Sequence, residues 1–114
     1  MTPAPFALHI PEDAIRDLKG RLARTRFPDQ APGTGWTYGT DLAFMTRAMT
    51  HWRERYDWRQ TEAALNALPN YRLAIDGLDL HFLHVPGKGP DPLPLLLSHG
   101  WPGSVLEFLD LIPR

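Results

Sequence analysis

The residues His99-Gly100-Trp101-Pro102-Gly103-Ser104 carry the most legible chemistry in this 114-residue chain. Glycines at 100 and 103 open backbone angles that other residues avoid. The Trp101–Pro102 bond is of the kind that can adopt the cis form in a tight turn. Proline has no N–H, so the donor such a turn presents is the Trp101 main-chain N–H. A donor aimed at negative charge developing on a carbonyl oxygen is worth about 3 kcal/mol in acyl-transfer chemistry. The motif therefore points to stabilisation of an oxyanion, not to nucleophilic attack. Ser104-x-x-Glu107 is a capping-box pattern, and a helix over 104–112 would bring the positive end of its dipole close to the turn.

Other chemistry is sparse. The chain has no cysteine, which removes disulfides and thiolate metal sites. His81 and His84 are three apart on a predicted strand and point to opposite faces, so they do not share a metal. His9 and His51 read as surface residues. Twelve Lys/Arg against thirteen Asp/Glu leave a formal charge of −1, which gives nucleic acid or an acidic membrane nothing to grip. The N-terminus lacks the pattern of a signal peptide. No apolar run approaches the roughly 20 residues that cross a bilayer. The expected location is a reducing cytosol.

The elements that would position the turn follow from periodicity. Residues 1–10 read as extended. Pro11 suits a first helical position, followed by acidic Glu12 and Asp13. Ile15, Leu18 and Leu22 then mark an amphipathic helix of about three turns that Pro28 ends. The Arg/Lys cluster at 16–26 is a solvated face. Residues 28–39 form a loop rich in Pro and Gly, with Trp36 and Tyr38 packing on something. Thr40 can cap a second helix whose Leu42, Met45, Met49, Trp52 and Tyr56 share one packing face. Asp57-x-x-Gln60 caps a third, with Trp58, Leu65 and Ala64 inward, an Arg59–Glu62 pair, and Pro69 at its end. The period then changes to two. Tyr71, Leu73 and Ile75 alternate with polar or small residues, Asp76-Gly77 is a type I′ hairpin signal, and Leu78, Leu80 and Phe82 alternate in turn. After the loop 86–92, the run Leu93-Pro94-Leu95-Leu96-Leu97-Ser98 fits a strand buried on both faces. Leu106, Leu109 and Ile112 would face the sheet from the last helix. The fold class is α/β: a helical meander, a β-hairpin, and the first strand-turn-helix of a mixed sheet.

At this point the chain resembles the N-terminal region of epoxide hydrolases of the microsomal type, within the α/β-hydrolase superfamily. The residues that carry the resemblance extend over nearly the whole length. They are Trp36-Thr37-Tyr38-Gly39, Trp58-Arg59…Glu62…Leu65-Asn66, Pro69-Asn70-Tyr71, Ile75-Asp76-Gly77-Leu78-Asp79-Leu80-His81-Phe82-Leu83-His84, and the terminal His99-Gly100-Trp101-Pro102-Gly103-Ser104. His-Gly-x-Pro alone is shared with haloalkane dehalogenases and other α/β-hydrolases.

The resemblance implies one domain over 1–114. Residues 1–70 would wrap the core and brace its lid through Trp36 and Tyr38, with substrate contact as their second role. Residues 71–114 would start an incomplete α/β-hydrolase core. It implies an Asp nucleophile, two lid tyrosines that donate to the epoxide oxygen, and a His–carboxylate pair that activates water. Small lipophilic epoxides would become vicinal diols through an alkyl-enzyme ester, without a cofactor, in xenobiotic or aromatic-hydrocarbon breakdown. Of these groups the chain would supply the oxyanion-hole turn, His99, Gly100, Trp101 and Pro102, with His99 as a hydrogen-bonding residue rather than the base. Nucleophile, tyrosines and base lie downstream in the family, so the chain is expected to be truncated and inactive without the missing catalytic half. Asp110, on the helix after the turn, is not the nucleophile. No membrane anchor is expected. Strand 93–98 would lack both its neighbours, leaving 93–114 poorly protected. The alternatives are another α/β-hydrolase of haloalkane dehalogenase type and a non-catalytic fragment or interaction module.

Overall fold

A computed structural model describes residues 2–112. Two compact units are present. One is residues 9–58; the other joins residues 2–8 to residues 59–112.

In the 9–58 unit, α1 (Glu12–Ala23) and α2 (Leu42–Glu54) lie side by side. The predicted amphipathic helix is present, with Leu22 buried and the ion pair Arg21–Asp17 at 2.7 Å on its wet face. Its bounds differ from expectation. Pro11 is the cap rather than the first helical residue, and its carbonyl accepts from the Ala14 and Ile15 N–H groups. The helix ends at Ala23, well before Pro28, with the Arg24 N–H donating to the Arg21 carbonyl at 3.0 Å and the Thr25 N–H to the Leu22 carbonyl at 3.2 Å. The cap of α2 is Asp41, not Thr40: its carboxylate accepts from the Phe44 N–H at 2.7 Å. Gln30 fastens the connecting loop. Its Nε2 donates to the Gly35 carbonyl at 2.8 Å, and its Oε1 accepts from the Leu42 N–H at 2.6 Å. The stripe expected to be packed on α2 is only half covered; Met45 and Met49 are half-buried and Trp52 is exposed.

In the other unit, α3 (Trp58–Asn66) buries Glu62 and Leu65, whereas Ala64 is exposed. The Arg59 guanidinium donates to both Glu62 oxygens, at 2.8 and 3.0 Å. The hairpin forms as predicted. β2 (Asn70–Ile75) pairs antiparallel with β3 (Leu78–Leu83), and Ile75 opposes Leu78 across a two-residue turn. Asp76 and Gly77 have φ of +48° and +82°, the two positive angles a type I′ turn demands. The extended N-terminus adds β1 (Ala4–Pro5), giving a three-stranded sheet in the order β1-β2-β3. Asn66 clamps the same segment, accepting from the Leu8 N–H and donating to the Leu8 carbonyl, both at 2.8 Å.

The expected strand at 93–98 is not formed. That stretch has no secondary structure, and Leu93, Leu95 and Leu96 are 92%, 81% and 91% exposed. An all-apolar strand is stable only with ladder partners at its edges and cover on its faces, and among the described residues it has neither. The helix expected at 104–112 is also reduced, to a single 3₁₀ turn, Val105–Phe108. Amide exchange should follow this division: slow in the paired positions of 70–83, and near the unstructured rate through 93–98. Protection at 93–98 in a monomeric sample would contradict the assignment.

Candidate functional site

The turn at 99–103 is built around one carbonyl. The Gly100 oxygen accepts the Gly103 N–H at 2.6 Å and the His99 Nδ1–H at 3.2 Å, filling both lone pairs. Between them the Trp101–Pro102 peptide is cis. Neither Gly100 nor Gly103 has a positive φ, so the expected need for unusual backbone angles does not arise. Gly103 is required for space instead. A Cβ there would lie 1.8 Å from Glu107 Oε1 and 2.7 Å from the Gly100 carbonyl oxygen.

Ser104 caps the short turn that follows, its hydroxyl accepting from the Leu106 N–H at 3.3 Å. Four residues of 3₁₀ helix have almost no macrodipole, so the dipole contribution expected at the turn is absent here. Trp101 is 97% exposed. Among the described residues no hydrogen bond engages its N–H. His99, Gly100, Trp101 and Pro102 thus sit together on one exposed turn, with the Trp101 donor unspent and His99 occupied in bracing.

The other polar cluster lies on one face of the sheet, and Asn70 organises it. Its side chain is buried, and Nδ2 donates to the Leu65 and Leu68 carbonyls at 2.7 Å each. That fixes Oδ1 as an acceptor, so the His81 ring must donate its Nε2–H across 2.9 Å. Phe6 packs edge-on to His81 at 5.4 Å, and the Arg72 guanidinium lies 3.9 Å above the Phe6 ring. Partial burial, and then the nearby Arg72 charge, lower the His81 pKa from 6.5. His84 lies beside Tyr71 on the opposite face, 6.3 Å between ring centres. The role of Asn70 was not read from the sequence. The available signal was its position, directly between a helix-ending proline and a strand.

Trp36 leans on Phe44 at 5.1 Å, while Tyr38 is 86% exposed on the rim of a half-open cavity of about 360 Å³ lined by Phe27, Gln30, Leu42 and Met45.

Residues 3–108 match the family model described as the epoxide hydrolase N terminus. A provisionally named epoxide hydrolase of Stigmatella aurantiaca is 51% identical over 109 residues, and epoxide hydrolase 1 of Oryctolagus cuniculus is 36% identical over 115. Each alignment covers 96% of this chain and 25% of the relative, so the chain spans about a quarter of the length of the curated relatives it matches. Among solved structures, the epoxide hydrolase of Aspergillus niger superposes with a TM-score of 0.87 at 31% identity, over 97% of this chain and 30% of that one. The juvenile hormone epoxide hydrolase of Bombyx mori gives 0.84 at 34%, over 96% and 27%. The fold is accordingly the opening part of the α/β architecture of those enzymes.

Because the folded state disfavours protonation of His81, its contribution to stability is intact above pH 6.5 and is lost as pH falls below that value toward the lower native pKa. Urea titrations across this range should show midpoints declining with acidification, and His81→Gln should flatten the slope. An unchanged slope in the variant would remove His81 from the account.

Proposed function

The chain belongs to the epoxide hydrolase N-terminal family, and on that premise we propose that it supplies the oxyanion-binding turn of an enzyme that opens lipophilic epoxides to vicinal diols. The Trp101 N–H is the donor. His99 and Gly103 hold the Gly100 carbonyl, which fixes the peptide that presents it. The observation that carries the reading is the exposed Trp101 N–H, with no hydrogen bond to the described residues, on a peptide whose Gly100 carbonyl is held by Gly103 and His99.

The chemistry runs in two steps. A carboxylate attacks one epoxide carbon, the C–O bond breaks, and tyrosine hydroxyls protonate the leaving oxygen. An alkyl-enzyme ester results. Water, deprotonated by a histidine, then adds to the ester carbonyl, and the Trp101 N–H stabilises the resulting oxyanion before it collapses and releases the diol. The attacking, protonating and water-activating groups belong to the three quarters of the relatives that this chain does not span. Residues 1–70 serve as scaffold, with Trp36 and Tyr38 bracing the substrate lid. The substrate class is a small apolar epoxide, as in detoxification or breakdown of lipophilic compounds, and the reaction needs no cofactor.

With styrene oxide, the 114-residue chain alone should give no diol. Joined to the remaining portion of a relative, it should give turnover, and Trp101→Pro, which deletes the N–H, should slow ester hydrolysis about 100-fold or more. Alkylation should be spared, so the covalent ester accumulates and is seen by mass spectrometry. Trp101→Ala keeps the N–H and should retain most of the hydrolytic rate. Equal losses in both variants would overturn the role of the main-chain donor.

A further inference from the structure

His81 sits where all three strands meet. The register puts Ala4, Arg72 and His81 in one row across the sheet. The Phe6 N–H bonds the Asn70 carbonyl at 2.9 Å, which puts Phe6 in the next row on the same face. The Phe6 ring reaches back over both neighbours. It meets the His81 imidazole edge-on, 5.4 Å between centres, and the Arg72 guanidinium lies 3.9 Å from its centre. One aromatic side chain from the N-terminal segment thus shields a titratable ring and seats a cation beside it.

We propose that this arrangement is an acid-released latch: protonation of His81 frees residues 2–8 from the sheet while the β2–β3 hairpin stays paired.

The charged groups facing His81 come from its own sheet. Arg72 stands directly opposite, and Asp79, two residues before His81 on β3, holds Arg72 at 3.1 Å. From α3 the cluster receives the Leu65 carbonyl, through Asn70, while Arg59 and Glu62 of that helix pair with each other. His84 lies on the opposite face, beside Tyr71. Burial first, and then the Arg72 charge, hold the His81 pKa below 6.5. Phe6 contributes to both, because its ring keeps water from the imidazole and keeps the guanidinium near. Once the segment leaves, the imidazole is wetted and Arg72 is free to turn toward Asp79 and solvent. The freed form binds the proton more tightly, and a ligand shifts an equilibrium toward the state that holds it better. The Asn70 bond does not oppose the change, since the imidazolium keeps its Nε2–H.

The segment is also weakly held. β1 is two residues long, and Pro5 has no N–H to give. Beyond that ladder its described bonds are the Phe6 N–H and the two Leu8–Asn66 bonds. The hairpin has six opposed pairs. Elements with few bonds open at the lowest free energies, so the effect of the proton falls on residues 2–8 first. The inference concerns the sheet and does not rest on the catalytic reading.

Amide exchange followed by NMR on the whole chain, with the intrinsic pH dependence divided out, tests this. From about pH 8 to pH 5, protection of the Phe6 and Leu8 amides should fall several-fold more than that of the paired β2 and β3 amides. His81→Gln keeps a side-chain N–H for Asn70 and should leave Phe6 protection independent of pH. Phe6→Ala should raise the midpoint of the His81 ring titration toward 6.5, a readout that stands even where His81→Gln fails to fold. Equal losses in segment and hairpin, constant Phe6 protection in the native chain, acid release that persists in His81→Gln, or an unmoved His81 midpoint in Phe6→Ala would each overturn the proposal.

Discussion

One buried amide holds the second unit together. Asn70 stands where α3 gives way to β2, and its two side-chain N–H bonds take up the Leu68 carbonyl and a second lone pair of the Leu65 carbonyl, which also accepts the Leu68 N–H. Its side-chain oxygen orients His81 on β3, and its main-chain carbonyl accepts the Phe6 N–H from the segment that forms β1. Helix end, hairpin and N-terminal strand are thereby fixed at one residue. Asn66, the last residue of the helix, repeats the device on Leu8. No aliphatic residue could replace Asn70, because the groups it satisfies are polar and screened from water.

This reliance on polar junctions reflects how little apolar core the chain makes for itself. Leu22 and Leu65 are the buried hydrophobic residues among those described, and no large side chain there is fully enclosed. The leucines of 93–97, the outward face of β3 and the half-covered stripe of α2 face solvent. Their composition is that of core. What they lack, among the described residues, is opposing surface; the chain spans about a quarter of the length of the relatives it matches.

Legibility from sequence followed the range of the interactions. The hairpin was readable because alternation and Asp76-Gly77 are local signals, and the structure returned both positive φ angles at the turn. The helices were readable in place but not in their ends, since capping by Asp41 rather than Thr40 depends on one side-chain rotamer. Strand 93–98 does not form, in keeping with the expectation that both its neighbours would be missing: its residues are those of a buried strand, and among the described residues nothing covers them. The turn at 99–103 was legible as a motif, yet the reason for Gly103 was not: the constraint is the Gly100 main-chain carbonyl, 2.7 Å from where a Cβ would go. Asn70 escaped because its partners lie on a helix end and on another strand, a convergence that no periodicity announces.

The proline in β1 has a consequence for the other side of the sheet. With Phe6 bonded to Asn70 and Ala4 opposite Arg72, Pro5 occupies the one position of β1 whose N–H would aim away from β2, and it has none to offer. That margin is only two residues long and offers an incoming strand no donor at Pro5. A strand laid along it would leave one of its own carbonyls without a partner, so the sheet is blunted against extension past β1.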